Sequence, residues 1–469
     1  MVYMARYIKN IYVAFLLCFL GFSNSVCLGQ EWSQWLGNQR DGVWREKDIL
    51  EKFPPGGPKV LWRLPTGGGY SGPAVQGGRV FLTDRVLETG AKDPQNLFQR
   101  ANSKGNERVF CFDAETGKTI WQHSYPCQYS ISYPCGPRAT PTVEGGQVFA
   151  LGAMGNLCAL DAKTGSLQWM VDFVKDYGAN VPVWGFACHP LVFGETVICL
   201  VGGKDPESMV IAFDRKTGKP KWKSLQLQNP QNEIGYAPPT LIELGGKTHL
   251  IIWHPESVDC LDPVTGTKKW SIPFRLKANL SVPTPRLADG KLLVSSFYNG
   301  SMLLDLGKDA TSAKLVWKGE GKGERPGQTD GLHSIMPTPW IEGDLFFGVC
   351  SYGELRCLEL ATGKRIWSDL RATSAPGPAP KEPTERWGNA FLVPHENRFF
   401  IFNEKGDLII AKLSRTGYEE IDRTHVIEPT GSASGGGPAR KIVWSHPAYA
   451  MRSMFVRNDK ELVRVDLGK

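Results

Sequence analysis

Asp113-Ala114-Glu115-Thr116-Gly117-Lys118-Thr119-Ile120-Trp121 returns further along the chain as Asp161-Ala162-Lys163-Thr164-Gly165-Ser166-Leu167-Gln168-Trp169. The figure recurs from Asp214 to Trp222, from Asp262 to Trp270 and from Glu359 to Trp367, with a decayed copy from Asp305 to Trp317. Its tryptophans, Trp121, Trp169, Trp222, Trp270, Trp317 and Trp367, stand between 47 and 53 residues apart. A period of about 50 residues built from short alternating strands marks propeller blades. The unit has a physical reading. A strand ends in Asp or Glu, Thr-Gly makes a tight hairpin with Gly at positive φ, and the next strand carries a Trp whose ring can wedge between blades.

Upstream of each figure lies an innermost-strand signal: Pro-Thr-Val at 141–143, Pro-Thr-Leu at 239–241, Pro-Thr-Pro at 283–285 and 337–339. A Gly-rich turn and a second apolar strand follow. Three-strand sets begin near residues 71, 138, 187, 236, 281, 335, 388 and 444. Six have a Trp-bearing fourth strand, and a degenerate one falls near Glu420 to Val426. The eighth set lacks one, and Val60-Leu61-Trp62-Arg63-Leu64 stands alone at the other end of the chain. The expectation is an all-β, eight-bladed β-propeller of four-stranded blades, closed by this N-terminal strand completing the last blade; seven blades is the alternative. Such a join removes the open sheet edges that invite aggregation.

The chain has 469 residues, 41% hydrophobic and 22% charged, with 52 Gly, 33 Pro and 15 Trp, a balance suited to many short strands and tight turns. Residues 1–29 read as a signal peptide: Arg6 and Lys9, an apolar run from Ile11 to Phe22, and small residues at Cys27 and Gly29. Asn24-Ser25-Val26 fits a lipidation signal at Cys27 poorly. Residues 30–469 then form the propeller domain, with 84–107, 372–386 and 429–440 as exposed loops or connectors. The net charge of +7 is spread without a basic block, so no nucleic-acid partner is expected. The mature chain is expected to have no transmembrane segment, to be exported (periplasmic or secreted) and to be a monomer.

The Ala-x-Thr-Gly-x-x-x-Trp segments resemble the tryptophan-docking motif of quinoprotein alcohol dehydrogenases, and equally that of the lipoprotein propeller of the outer-membrane β-barrel assembly machinery. The opening Glu31-Trp32-Ser33-Gln34-Trp35-Leu36-Gly37-Asn38-Gln39-Arg40-Asp41-Gly42 is similar to the start of secreted bacterial members of this PQQ-like (pyrroloquinoline-quinone-type) repeat family. The resemblance covers 32–469. It is specific for fold and weak for activity, because the motif packs enzymes and scaffolds alike. Structural docking is the role it implies for Trp62, Trp121, Trp169, Trp222, Trp270, Trp317 and Trp367.

In the dehydrogenases, the resemblance implies, PQQ sits on the propeller axis beside calcium, with an aspartate base, ligating carboxylates and amides, and often a disulfide between adjacent cysteines. This chain has no Cys-Cys pair, no Cys-x-x-Cys-His and no calcium-loop spacing. Cys111, Cys260 and Cys357 share one repeat position with Ala159 and Ala212, a small buried site. Cys127 and Cys135, in a stretch read as a polar loop, are the pair that an oxidising compartment would bridge. No Ser-His-Asp signature or phosphate loop is present. Asp330 and Glu385 flank the channel mouth on separate loops, at a distance the sequence leaves open.

The loops leading into the innermost strands should line one mouth of the central channel. They supply Tyr70, Arg138, Trp184, His189, Tyr236, Asn279, His333, Trp387, Asn389 and His446. Aromatic faces with Arg and Asn suit a planar or sugar-like ligand. His189, His254 and His333 have no evident carboxylate partner, so no metal site is expected. The leading expectation is an exported, non-catalytic propeller that binds a protein partner or small ligand through its loop face and axial channel, with no catalytic residues and no cofactor. The alternatives are a PQQ- and calcium-dependent alcohol or sugar dehydrogenase, and an outer-membrane protein assembly scaffold.

Overall fold

Each repeat turns on its aspartate. Asp113 Oδ1 accepts from the Thr116 amide at 2.8 Å and hydroxyl at 2.7 Å, and Asp161 does the same with Thr164 at 2.7 and 2.9 Å. These bonds hold both carboxyls below the usual carboxylate range. The glycine that follows is left-handed, at φ +72° in Gly117 and +75° in Gly165. It is needed a second time, because the Trp of the preceding blade lies on it. A Cβ on Gly165 would sit 2.6 Å from a ring atom of Trp121, and one on Gly266 would sit 2.5 Å from Trp222.

The indole nitrogen completes the joint. Trp121 donates to the Ala162 carbonyl at 3.1 Å, Trp169 to Arg215 at 2.9 Å, Trp270 to Ala310 at 2.9 Å, Trp317 to Leu360 at 2.8 Å and Trp367 to Ser414 at 2.8 Å. Each such bond contributes about 1 kcal/mol. Trp222 packs on Gly266 in the same way, but its Nε1 has no partner. Across the sheet from five of these tryptophans stands a small residue, whereas Trp317 faces Leu303. Cys111 pairs with Trp121, Ala159 with Trp169, Ala212 with Trp222, Cys260 with Trp270 and Cys357 with Trp367. The repeat-position cysteines are therefore packing residues, and burial pushes the Cys111 thiol up to about 12.

The computed structural model describes residues 30–321, 323–378, 380–434 and 439–469. It holds eight four-stranded antiparallel sheets. Blade 1 contains strands Ala74–Gln76, Arg79–Leu87, Ser103–Asp113 and Thr119–Tyr129, innermost first, and blades 2 to 7 begin at Thr142, Leu191, Thr240, Arg286, Trp340 and Ala390. Blade 8 consists of Ala448–Ala450, Ser453–Arg457 and Glu461–Asp466, with Val60–Pro65 as its outer strand. In that join Arg63 pairs with Val463 and Leu64 with Leu462, and Trp62 Nε1 donates to the Ala114 carbonyl of blade 1 at 2.9 Å. The eight-bladed fold and its closure are as the sequence implies. One α-helix, Phe173–Tyr177, and a two-stranded ribbon, Gly431–Ala433 with Arg440–Ile442, stand outside the blades. No helix among the described residues is long and apolar enough to cross a membrane. The signal peptide expected at 1–29 lies outside the described residues.

Three expectations need correction. The 84–107 segment is not simply an exposed loop. Its ends prolong the middle strands of blade 1, which stay paired as far as Leu87 and Gly105. Asp84, Arg85 and Glu107 at those ends are buried with partners, while most polar residues between 88 and 100 are exposed as expected. Asp84 binds Arg108 at 2.6 Å, Arg85 binds Asp93 at 3.0 Å, and Glu107 accepts from the hydroxyls of Tyr125 and Tyr129 at 2.5 Å. Cys127 is not in a loop but in the strand Thr119–Tyr129, opposite Gly105, and neither it nor Cys135 is bridged. The 429–440 connector contributes to the two-stranded ribbon, with 435–438 outside the described residues.

Candidate functional site

The segment that precedes the first blade crosses the propeller axis. Trp32 exchanges backbone hydrogen bonds with Val75 of blade 1 at 2.9 and 2.8 Å, and the Ser33 carbonyl accepts from Val143 of blade 2 at 2.8 Å. Trp35 Nε1 donates to Thr284 Oγ1 beside blade 5 at 2.9 Å. Arg40 reaches the carbonyls of Pro190 and Pro239 at 3.2 and 3.3 Å, and the Trp44 amide that of Pro394 at 2.9 Å. An innermost strand has no neighbour on its channel side, so proline there removes a stranded N–H and leaves a carbonyl to be used. The threaded segment and Arg286, which donates to Pro339 at 3.0 Å, use those carbonyls. Burial pulls both guanidinium groups, Arg40 and Arg286, down to about 10.

Against this plug lies a cavity of about 370 Å³. Seven residues chosen from the sequence line it: Tyr70, Arg138, Trp184, His189, Tyr236, Trp387 and His446. Three do not. His333 is fully buried with Nδ1 on the Phe297 carbonyl at 3.0 Å. Asn389 is buried with Nδ2 toward Met336 Sδ at 3.8 Å, and Asn279 is taken up in the short 3-10 turn Lys277–Asn279. The loop reading places a residue near a mouth but not on the side of the loop that faces it.

The structure adds Trp35, Phe98, Tyr133, Tyr298, Arg386 and Trp444 to the lining. Trp35 comes from the axial plug, and its tryptophan-rich setting, which belongs to no blade, was the one signal in the sequence for it. Phe98 projects from the insert of blade 1 and packs on both Tyr133 and Trp387, at 5.3 and 5.6 Å between ring centroids. Tyr133 and Trp387 both hold left-handed backbones, at φ +51° and +64°. That conformation costs a bulky residue on the order of 1–2 kcal/mol, so their placement is maintained by the surrounding loops.

Two histidines flank Trp35. His189 stacks on it at 4.0 Å and 10°, and His446 meets it edge-on at 5.0 Å. The backbone fixes both tautomers. His189 Nδ1 accepts from the Thr140 amide at 2.8 Å, which leaves the proton on Nε2. His446 Nδ1 donates to the Pro447 carbonyl at 2.7 Å, which leaves a lone pair on Nε2. Among the described residues neither Nε2 has a hydrogen-bond partner. Burial holds His189 far below its ordinary pKa and His446 at about 4, so both rings are neutral at pH 7.

Among the described residues no carboxylate lines the cavity. The nearby acids are committed behind it. Glu233 accepts from the Tyr236 hydroxyl at 2.6 Å and the Val183 amide at 2.7 Å, and Glu404 from Trp444 Nε1 and Arg440, both at 2.8 Å. Arg386 is paired with Glu324 at 2.7 Å. His189, His254 and His333 do not converge: His254 binds Asp259 at 2.9 Å, and the others bind backbone in separate blades. Among the described residues no three His, Cys, Asp or Glu side chains could hold a metal ion together. The donors that calcium beside a quinone requires, carboxylate and amide oxygens, are thus missing from the lining, and the axial residues do not fit that pair.

A family model described as outer membrane protein assembly factor BamB matches residues 105–369. Among characterised proteins, the dehydrogenase subunit of a quinone alcohol dehydrogenase from Gluconacetobacter polyoxogenes is 30% identical over 131 residues, 26% of this chain and 17% of that one. The match therefore spans less than a fifth of that relative. Among solved structures, BamB from Moraxella catarrhalis superposes with a TM-score of 0.56 at 14% identity, over 87% of this chain and 99% of that one. The quinohemoprotein alcohol dehydrogenase from Comamonas testosteroni gives 0.58 at 14% identity, over 94% and 81%. At such identities the likeness speaks for the fold alone.

Proposed function

We propose, from the premise that the chain belongs to the PQQ-like repeat-propeller family whose model is described as outer membrane protein assembly factor BamB, that it is a non-catalytic binding protein whose axial cavity takes a small ring-bearing ligand. The observation that carries this reading is the make-up of the cavity wall. Aromatic side chains from the plug and from several blades line about 370 Å³, with no carboxylate among the described lining residues. That volume lies within the ~300–1,000 Å³ of small-molecule sites, which are mostly apolar with a few placed polar groups. General acid–base chemistry near pH 7 works best with a group that titrates near that pH, and burial holds His189 well below that range and His446 at about 4.

Export of the propeller is part of the proposal and rests on the signal-like pattern at 1–29. So is a protein partner on the loop face, in keeping with the assembly-factor description of the family. A PQQ- and calcium-dependent dehydrogenase is the second reading, favoured by the 131-residue likeness to a quinone alcohol dehydrogenase subunit. The donor set of the lining weighs against it.

The test is a titration of the purified chain with naphthalene, indole and quinoline derivatives, following tryptophan emission and melting temperature. Saturable binding, weakened at least about tenfold in Trp184→Ala, is the expected result. No shift with any ring compound at millimolar concentration refutes the cavity reading. A stabilisation that appears only when PQQ and calcium are added together replaces it with the dehydrogenase.

A further inference from the structure

We infer that the ligand of the axial cavity is a flat ring system bearing a single anionic group, held without a metal ion, with that group on Arg138. The inference rests on the cavity being a binding site and names the class of molecule it takes.

The charge balance of the lining leads to Arg138. Two guanidinium groups line the cavity. Arg386 has its counter-ion in Glu324 at 2.7 Å, while Arg138 has none among the described residues. Arg138 Nη2 donates to the carbonyl of Ser132 at 3.1 Å and to that of Tyr133, and Nη1 to that of Gly136. Its guanidinium also lies over the Tyr70 ring at 5.2 Å. Three carbonyl dipoles and a ring face fix the group in place and leave a full positive charge without a counter-ion beside aromatic walls. One anionic group on the ligand matches it with charge-assisted hydrogen bonds, the strong kind in a poorly hydrated site.

The plug end of the cavity specifies the rest. His189 and His446 are more than nine-tenths buried and line the cavity. The first carries its proton on Nε2 as a donor and the second a bare Nε2 as an acceptor, one stacked on the Trp35 indole and the other edge-on to it. A ring edge carrying one acceptor and one donor, such as a lactam or a phenol beside a ring nitrogen, meets both while the ring stacks on aromatic walls. A sugar fits poorly. Its many hydroxyls need amides and carboxylates along the wall, and Asn279 and Asn389 are turned elsewhere.

The experiment compares matched acids and amides on one ring: naphthoate against naphthamide, and quinoline carboxylate against its amide, by calorimetry with the whole chain in chelator-treated buffer. The expected result is that each acid binds at least about tenfold more tightly than its amide, with no change when calcium is added. In Arg138→Gln the ratio falls to about one, while Arg138→Lys retains part of it. The acid-to-amide ratio of the unaltered protein decides the matter even if Arg138→Gln folds poorly. Equal binding of acid and amide overturns the anionic assignment and leaves the binding-site reading standing. Acid binding that requires calcium overturns the metal-free placement on Arg138. Failure of all four compounds to bind overturns both readings.

Discussion

Replacing Gly165 by alanine tests whether blade-to-blade tryptophan docking holds this ring together, and Gly146→Ala is its internal control. Both glycines lie in blade 2 with nearly the same backbone, φ +75° and +78°. Putting a Cβ on a left-handed residue costs about 1 kcal/mol at either position. At Gly146 nothing lies within 4 Å of the added carbon, so that is the whole effect. At Gly165 the same carbon meets three ring atoms of Trp121 at 2.6 to 2.8 Å. The indole must shift, and with it goes the 3.1 Å bond from Nε1 to the Ala162 carbonyl, about 1 kcal/mol, plus about 1–3 kcal/mol of overpacking. Gly165→Ala should therefore destabilise by about 3–5 kcal/mol and Gly146→Ala by about 1 kcal/mol. Urea unfolding followed by both circular dichroism and tryptophan emission measures the difference, provided the two probes coincide. A gap between the variants of less than about 0.5 kcal/mol would mean that docking adds nothing to the turn's own preference, and the account of the repeat would fall.

Acid should weaken the protein through its axial histidines. Burial lowers His446 to about 4 from an unfolded value of about 6.5, so the unfolded chain takes up its proton first. The contribution is complete above about pH 6.5 and is lost as pH falls toward 4, by about 3 kcal/mol for this residue. His189 shifts in the same direction. Urea midpoints at pH 7.5 and 4.5 measure the loss, and a His446→Gln variant with an undiminished slope would contradict the assignment. Cys127 and Cys135 should both be alkylated in the unfolded, unreduced protein. A mass showing a bridge between them would contradict the free state of both thiols in this fold.

Much of the architecture was legible in the chain because it is written in short-range chemistry. The Asp113–Thr116 turn joins residues three positions apart, and the left-handed Gly117 and the small Cys111 opposite Trp121 stand at fixed offsets from it. The solitary strand Val60–Pro65 was interpretable only because the count left one blade short. The 84–107 insert misled for the converse reason. Buried ion pairs such as Arg108–Asp84 make polar residues interior, and no local pattern announces a partner 24 positions away.

The site divides along the same line. Reading the loops before the inner strands found Tyr70, Arg138, Trp184, His189, Tyr236, Trp387 and His446, since blade order alone carries those positions to one mouth. It also chose Asn279, His333 and Asn389, which the local course of the backbone turns away from the cavity. Trp35 stacked on His189, and Phe98 packed against Trp387, join segments from distant parts of the chain. The sequence by itself thus determined the blade, the number of blades and the way the ring closes, because turns and strand pairs are made by neighbours. Only the tertiary structure decided what faces the axis, which charge there lacks a counter-ion and which tautomers the histidines hold, because those depend on atoms that meet only after the ring has closed.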